Sequence, residues 1–83
     1  MARSPAPLNP WSLTSTQLAA ECRAIAEGKM PNLDPAINDE AVRLYAGWRE
    51  ALGLPGEDSR RAAQLSALRK RTIEILVHTR GAA

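Results

Sequence analysis

The sequence has few of the residues from which catalytic and metal sites are built. Its 83 residues include one cysteine, Cys22, and one histidine, His78, which excludes an internal disulfide and a Cys/His metal site. Its five glycines are dispersed and form no phosphate-binding loop. The adjacent carboxylates of Asp39 and Glu40 point about 100° apart on a helix, so they do not converge on one substrate atom. We therefore expect no enzymatic activity, no cofactor and no metal.

Long apolar runs are also missing. No stretch approaches the roughly 20 apolar residues that a membrane-spanning helix needs. The residues that follow Met1 lack the apolar core of a secretory signal. We therefore expect a cytoplasmic protein that makes no contact with membranes.

The apolar residues that are present are small. Hydrophobic residues make up 45% of the chain, but aromatics only 4%, phenylalanine is absent and fifteen residues are alanine. Alanine buries little apolar area, and a chain this short buries roughly 60–65% of its unfolded surface. We expect a marginally stable monomer that associates with another protein or forms a homodimer. The excess of arginine and alanine indicates a bacterial or phage protein.

Capping residues and apolar periodicity predict an all-α fold. Thr14 and Asp34 are suited to the N-caps of the first two helices and either Asp58 or Ser59 to that of the third, while Gly28 and Gly53 are suited to helix ends. The proline-rich N-terminus has no helical period, but Trp11 and Leu13 stand where it meets the first helix, so we expect the end of this arm to pack on the bundle. The predicted fold is a small three-helix bundle with a long third helix. Its segments are an extended arm over residues 1–13, helices over about 15–27, 35–52 and 59–79, and a disordered tail over 81–83.

The third helix carries more apolar surface than one neighbour can cover. Its main apolar stripe includes Leu65, Thr72 and Leu76, whereas Ile73 and Val77 lie about 100° from the centre of that stripe. We expect the C-terminal half of this helix to extend beyond the bundle and to bind a second molecule. A β-strand over residues 72–78 that pairs with another chain is the alternative, because this stretch is rich in β-branched residues.

Charge is divided unevenly along the chain. Residues 1–58 carry a net charge of −3, and residues 59–83 carry +5. The basic cluster of the third helix would steer an acidic partner surface or the acidic first half of a second copy of this chain. We thus predict a non-catalytic interaction module, a small regulator, adaptor or inhibitor of a larger bacterial or phage assembly. The predicted partner-binding residues are Arg69, Lys70, Arg71, Ile73, Leu76, Val77, Trp48 and Tyr45.

Nucleic-acid binding is the alternative function. Arginine and lysine side chains along one helix can follow a phosphate backbone. No exposed aromatic residue is interleaved with the basic cluster, and the loop before the third helix is longer than a helix-turn-helix turn. The residues that would contact nucleic acid are Arg60, Arg61, Arg69, Lys70 and Arg71.

Overall fold

A computed structural model describes residues 10–30 and 33–80, with the exception of the Arg80 side chain. The chain forms a short 3-10 helix, Pro10–Ser12, and three α-helices: α1 (Ser15–Ala26), α2 (Pro35–Leu52) and α3 (Ser59–Arg80). The prediction of an all-α three-helix bundle is confirmed. The alternative strand over 72–78 is wrong, because this stretch lies within α3. The first nine residues of the predicted arm and the predicted tail lie outside the described residues.

The helices begin where their capping residues predict. Thr14 and Gln17 form a reciprocal capping box at the start of α1, in which each side chain accepts a hydrogen bond from the other residue's backbone N–H. The Asp34 carboxylate accepts from the Ala36 N–H at 2.9 Å, and Asp58 accepts from the Arg60 N–H at 2.8 Å. These bonds satisfy N–H groups that the first turn of a helix leaves unpaired.

Helix α1 ends in a left-handed glycine and is tied to α2. Gly28 has φ 75°, a conformation that side chains with a Cβ rarely adopt. The Lys29 N–H donates to the Ala24 carbonyl at 3.0 Å, which closes the last turn. From α2, the Asn38 amide donates to the Ile25 carbonyl at 2.7 Å. The end of α1 is therefore held against the start of α2.

Small residues allow α2 to approach its neighbours closely. The Cys22 thiol of α1 donates a hydrogen bond to the Ala41 carbonyl of α2 at 3.4 Å, and both residues are buried. Gly47 lies against α3 so tightly that a Cβ atom there would stand 3.0 Å from a methyl carbon of Leu68. A glycine inside a helix costs about 1 kcal/mol relative to alanine. The close approach of α3 to α2 at this point explains why a glycine occupies position 47.

The core is centred on Trp48 of α2, which is fully buried. Its indole N–H donates to the hydroxyl of Thr72 on α3 at 3.0 Å, so the two buried polar groups satisfy each other. Leu18 and Ile25 of α1 and Leu76 of α3 are also among the largest side chains that are fully buried. None of the helices in residues 10–30 and 33–80 has the length and hydropathy needed to cross a membrane.

Candidate docking site

The segment before α1 packs beside α3, as the positions of Trp11 and Leu13 predict. The sequence pattern predicts extended chain at Pro10–Ser12, but these residues form a 3-10 helix whose carbonyl at Trp11 accepts a hydrogen bond from Arg69 at 2.9 Å. Leu13 is buried and belongs to the same core cluster as Ile73. This segment supplies a fourth packing element that periodicity along the helices does not reveal.

Three of the predicted partner-binding residues are core residues. Trp48 and Leu76 are 0% exposed and Ile73 is 6% exposed, so none of them offers a free side chain to a partner. Ile73 is covered because Pro10–Leu13 packs on its side of α3, and the prediction that this side of α3 is uncovered is wrong there. Tyr45 is half-buried and packs against the core. Val77 is also half-buried.

Arg71 is held by carboxylates of this chain. Its guanidinium makes two hydrogen bonds with the Glu40 carboxylate of α2, at 2.5 and 2.7 Å, and a third with Glu74 at 3.3 Å. The bonds from Arg71 hold the pKa of Glu40 below its usual range. Arg71 therefore links α2 to α3, whereas the sequence analysis predicts that it faces a partner.

The remaining basic residues of α3 differ in their surroundings. Arg60 pairs with Asp58 at 2.7 Å. Arg61 is half-buried, and its Nε has no hydrogen-bond partner among the described residues. Arg69 donates to an uncharged carbonyl and forms no ion pair among the described residues, and Lys70 is exposed. Only part of the predicted nucleic-acid surface therefore keeps an uncompensated positive charge.

An apolar groove runs along α3 beside the Pro10–Ser12 segment and has a volume of about 680 Å³. We call it the α3 groove. Its apolar lining residues are Trp11, Ile73 and Val77, of which Trp11 is 60% exposed and Ile73 is 6% exposed. Its other lining residues are Ser66, Arg69, Lys70, Glu74 and His78. It combines an exposed tryptophan with a basic rim, which are features of protein–protein contacts.

Comparison with protein-family models, curated proteins and solved structures finds no match to this chain. Its function has to be inferred from its own residues.

A second groove, of about 900 Å³, lies between the start of α2 and the end of α3. Glu74 and His78 line both grooves and form the ridge between them. The charged residues that line this second groove are Asp34, Arg71 and Glu74, and Arg71 also pairs with Glu40. One positive charge stands against three carboxylates there, so this groove lacks the net positive charge of the α3 groove.

The groups that the sequence offers for catalysis are separated by the fold. Burial raises the pKa of the Cys22 thiol to about 11, with a further contribution from the charge of Glu40, so the reactive thiolate is scarce at neutral pH. His78 is exposed on α3, and Asp39 is exposed on α2 while its neighbour Glu40 binds Arg71. Among the described residues, no three His, Cys, Asp or Glu side chains form a group suited to a metal ion.

Proposed function

We propose that this chain is a non-catalytic protein–protein interaction module that docks through α3. It would act as a regulator, adaptor or inhibitor of a larger assembly by occupying a surface of that assembly. The observation that supports the proposal is the α3 groove, in which the exposed indole of Trp11 and the half-buried Val77 lie beside unneutralised basic side chains. Tryptophan and arginine are the residues most enriched among the energetic centres of interfaces.

The geometry of the groove residues suits this role. Ser66, Lys70, Ile73 and Val77 recur every three or four positions, so they share one side of α3 over about 17 Å of helix. A partner helix that contacts this side would bury the exposed part of Trp11 and the rest of Val77 together. Burial of apolar area is worth about 25 cal/mol per Å², and the basic rim would add attraction at long range.

The proposal is tested by introducing a charge into the groove and, as a control, at a matched position outside it. Val42 on α2 is the control, because it is 54% exposed and does not line the groove. Tagged wild type, Val77→Asp and Val42→Asp are used to capture proteins from an extract of the source cells. We expect one set of proteins to bind wild type and Val42→Asp and to be lost with Val77→Asp. Equal capture by all three would contradict docking through α3.

Folding of the variants is checked in parallel. Val77 is partly buried and packs against the core, so the helical circular dichroism of Val77→Asp is compared with that of the wild type before the capture result is read. If Val77→Asp unfolds, Lys70→Glu on the same rim replaces it, since Lys70 is exposed.

A further inference from the structure

The α3 groove is lined from two elements of the chain. Ile73 and Val77 line it from α3, and Trp11 lines it from the segment before α1. An amphipathic helix that lies in such a groove contributes apolar side chains at spacings of three and four residues. A volume of about 680 Å³ accommodates several such side chains.

The charges around the groove indicate the chemistry of the occupant. Arg69 and Lys70 line one end, and neither forms an ion pair within the described parts of the chain. Glu74 is the acidic residue of the lining, and its partner Arg71 is also paired with Glu40, so the lining carries two positive charges against one negative charge. The groove therefore presents net positive charge beside apolar surface, which complements an acidic helix.

A second copy of this chain fits the same surface less well. Two-fold pairing would place the same residues against each other. If two α3 helices crossed antiparallel in their grooves, Arg69 and Lys70 of one copy would face the Val77–His78 end of the other, where the groove lining supplies no unpaired carboxylate. Two-fold self-association of α3 in this groove thus leaves the basic rim uncompensated.

We propose that the occupant of the α3 groove is an acidic amphipathic helix of a different protein. Its apolar side would lie on Trp11 and Val77, and its acidic residues would lie beside Arg69 and Lys70. This inference rests on the proposed docking function and specifies the partner's chemistry.

The test compares two designed peptides that differ only in charge. Each has about 18 residues, enough to form a helix longer than the groove, with leucines at spacings of three and four. One carries glutamates beside the leucines and the other carries lysines. Binding of the fluorescently labelled peptides to the full chain is measured by anisotropy at low and at high salt. We expect the acidic peptide to bind at least about tenfold more tightly at low salt, a difference of about 1.4 kcal/mol. The preference should shrink as salt increases.

Two variants assign this preference to the groove. Lys70→Glu should reverse it or abolish it. Lys29→Glu makes the same charge change at the other lysine of the chain, which lies after α1 with its side chain 70% exposed. It should leave the preference in place. An equal effect of the two variants would assign the preference to net charge and overturn the inference.

Other outcomes separate this inference from the docking function. If the two peptides bind equally while capture from extract still depends on Val77, the groove is a docking site but its occupant is not acidic. If the chain sediments as a dimer that Val77→Asp dissociates, the groove is taken by a second copy and the inference is wrong. A third outcome is that the chain binds duplex DNA, that Lys70→Glu abolishes this binding, and that neither peptide binds. In that case the basic rim binds nucleic acid and the inference is wrong.

Discussion

The two tryptophans lie on different sides of α3 and have different surroundings. Trp48 is fully buried and its indole N–H is bonded to Thr72, whereas the Trp11 side chain is 60% exposed beside the α3 groove. The same contrast holds for charge, because Arg71 is fixed by Glu40 while Lys70 is exposed. One side of α3 maintains the fold, and the other side is the proposed docking surface.

Substitution of each tryptophan by alanine should give the largest difference in the free energy of unfolding between these two sides of α3. Trp48→Ala leaves a cavity and an unpaired Thr72 hydroxyl, so we expect a loss of about 3–5 kcal/mol in the free energy of unfolding. Trp11→Ala removes a mostly exposed side chain, and we expect a loss below about 1 kcal/mol. Urea titration followed by circular dichroism measures both. Since a domain of this size is stabilised by about 4–12 kcal/mol, Trp48→Phe is the fallback if Trp48→Ala does not fold. Similar losses for the two tryptophans would refute the contrast.

The ion pair between Glu40 and Arg71 should make the free energy of unfolding depend on pH. Because the pKa of Glu40 is lowered in the folded state, its contribution is present above the pKa of an unfolded glutamate, about 4.3. It is lost as the pH falls through the folded-state value. We expect Glu40→Gln to lower the free energy of unfolding at pH 7 by about 0.5–1 kcal/mol, the range for partly exposed pairs.

Denaturation of Glu40→Gln across the acidic range checks this expectation. The difference from wild type should shrink as the solution becomes more acidic. Glu57→Gln, at an exposed residue of the loop before α3, is the control and should show little difference at any pH. A constant difference between Glu40→Gln and wild type would exclude ionisation of Glu40 as its source.

The smallest effect is expected where α2 and α3 approach most closely. Gly47→Ala gains about 1 kcal/mol of helix propensity, but its Cβ would stand 3.0 Å from Leu68. We expect the two effects to cancel to within about 0.5 kcal/mol in the wild type. In a Leu68→Ala background the steric conflict is gone, and Gly47→Ala should stabilise the chain by about 1 kcal/mol. Equal effects in both backgrounds would show that Leu68 does not explain the glycine.

The sequence predicts the helices well because their signals are local. Thr14, Asp34 and Asp58 cap helices in the structure, and Gly28 takes the left-handed conformation that ends α1. The pattern on α3 also separates Ile73 and Val77 from the main apolar stripe. A local pattern indicates which side of a helix is apolar, and the capping signals depend on neighbours within a few residues.

The candidate site is only partly predictable, because its contacts join distant residues. Periodicity marks Ile73 as apolar but does not show that Pro10–Leu13 covers it. The basic cluster gives no sign that Arg71 is bonded to Glu40, 31 positions earlier, or that Arg69 is bonded to the Trp11 carbonyl, 58 positions earlier. Trp11 could be found in the sequence as an aromatic before the first cap, but its place beside Val77 depends on the packing of the arm.

The central claim is that a partner helix contacts the side of α3 beside Trp11 and leaves the side beside Trp48 unchanged. The most direct measurement follows the two indole N–H signals by NMR while the acidic peptide is added. The account predicts that the Trp11 signal shifts until it saturates, and that the Trp48 signal, fixed by its bond to Thr72, stays in place. A Trp11 signal that stays in place while the peptide binds would contradict it.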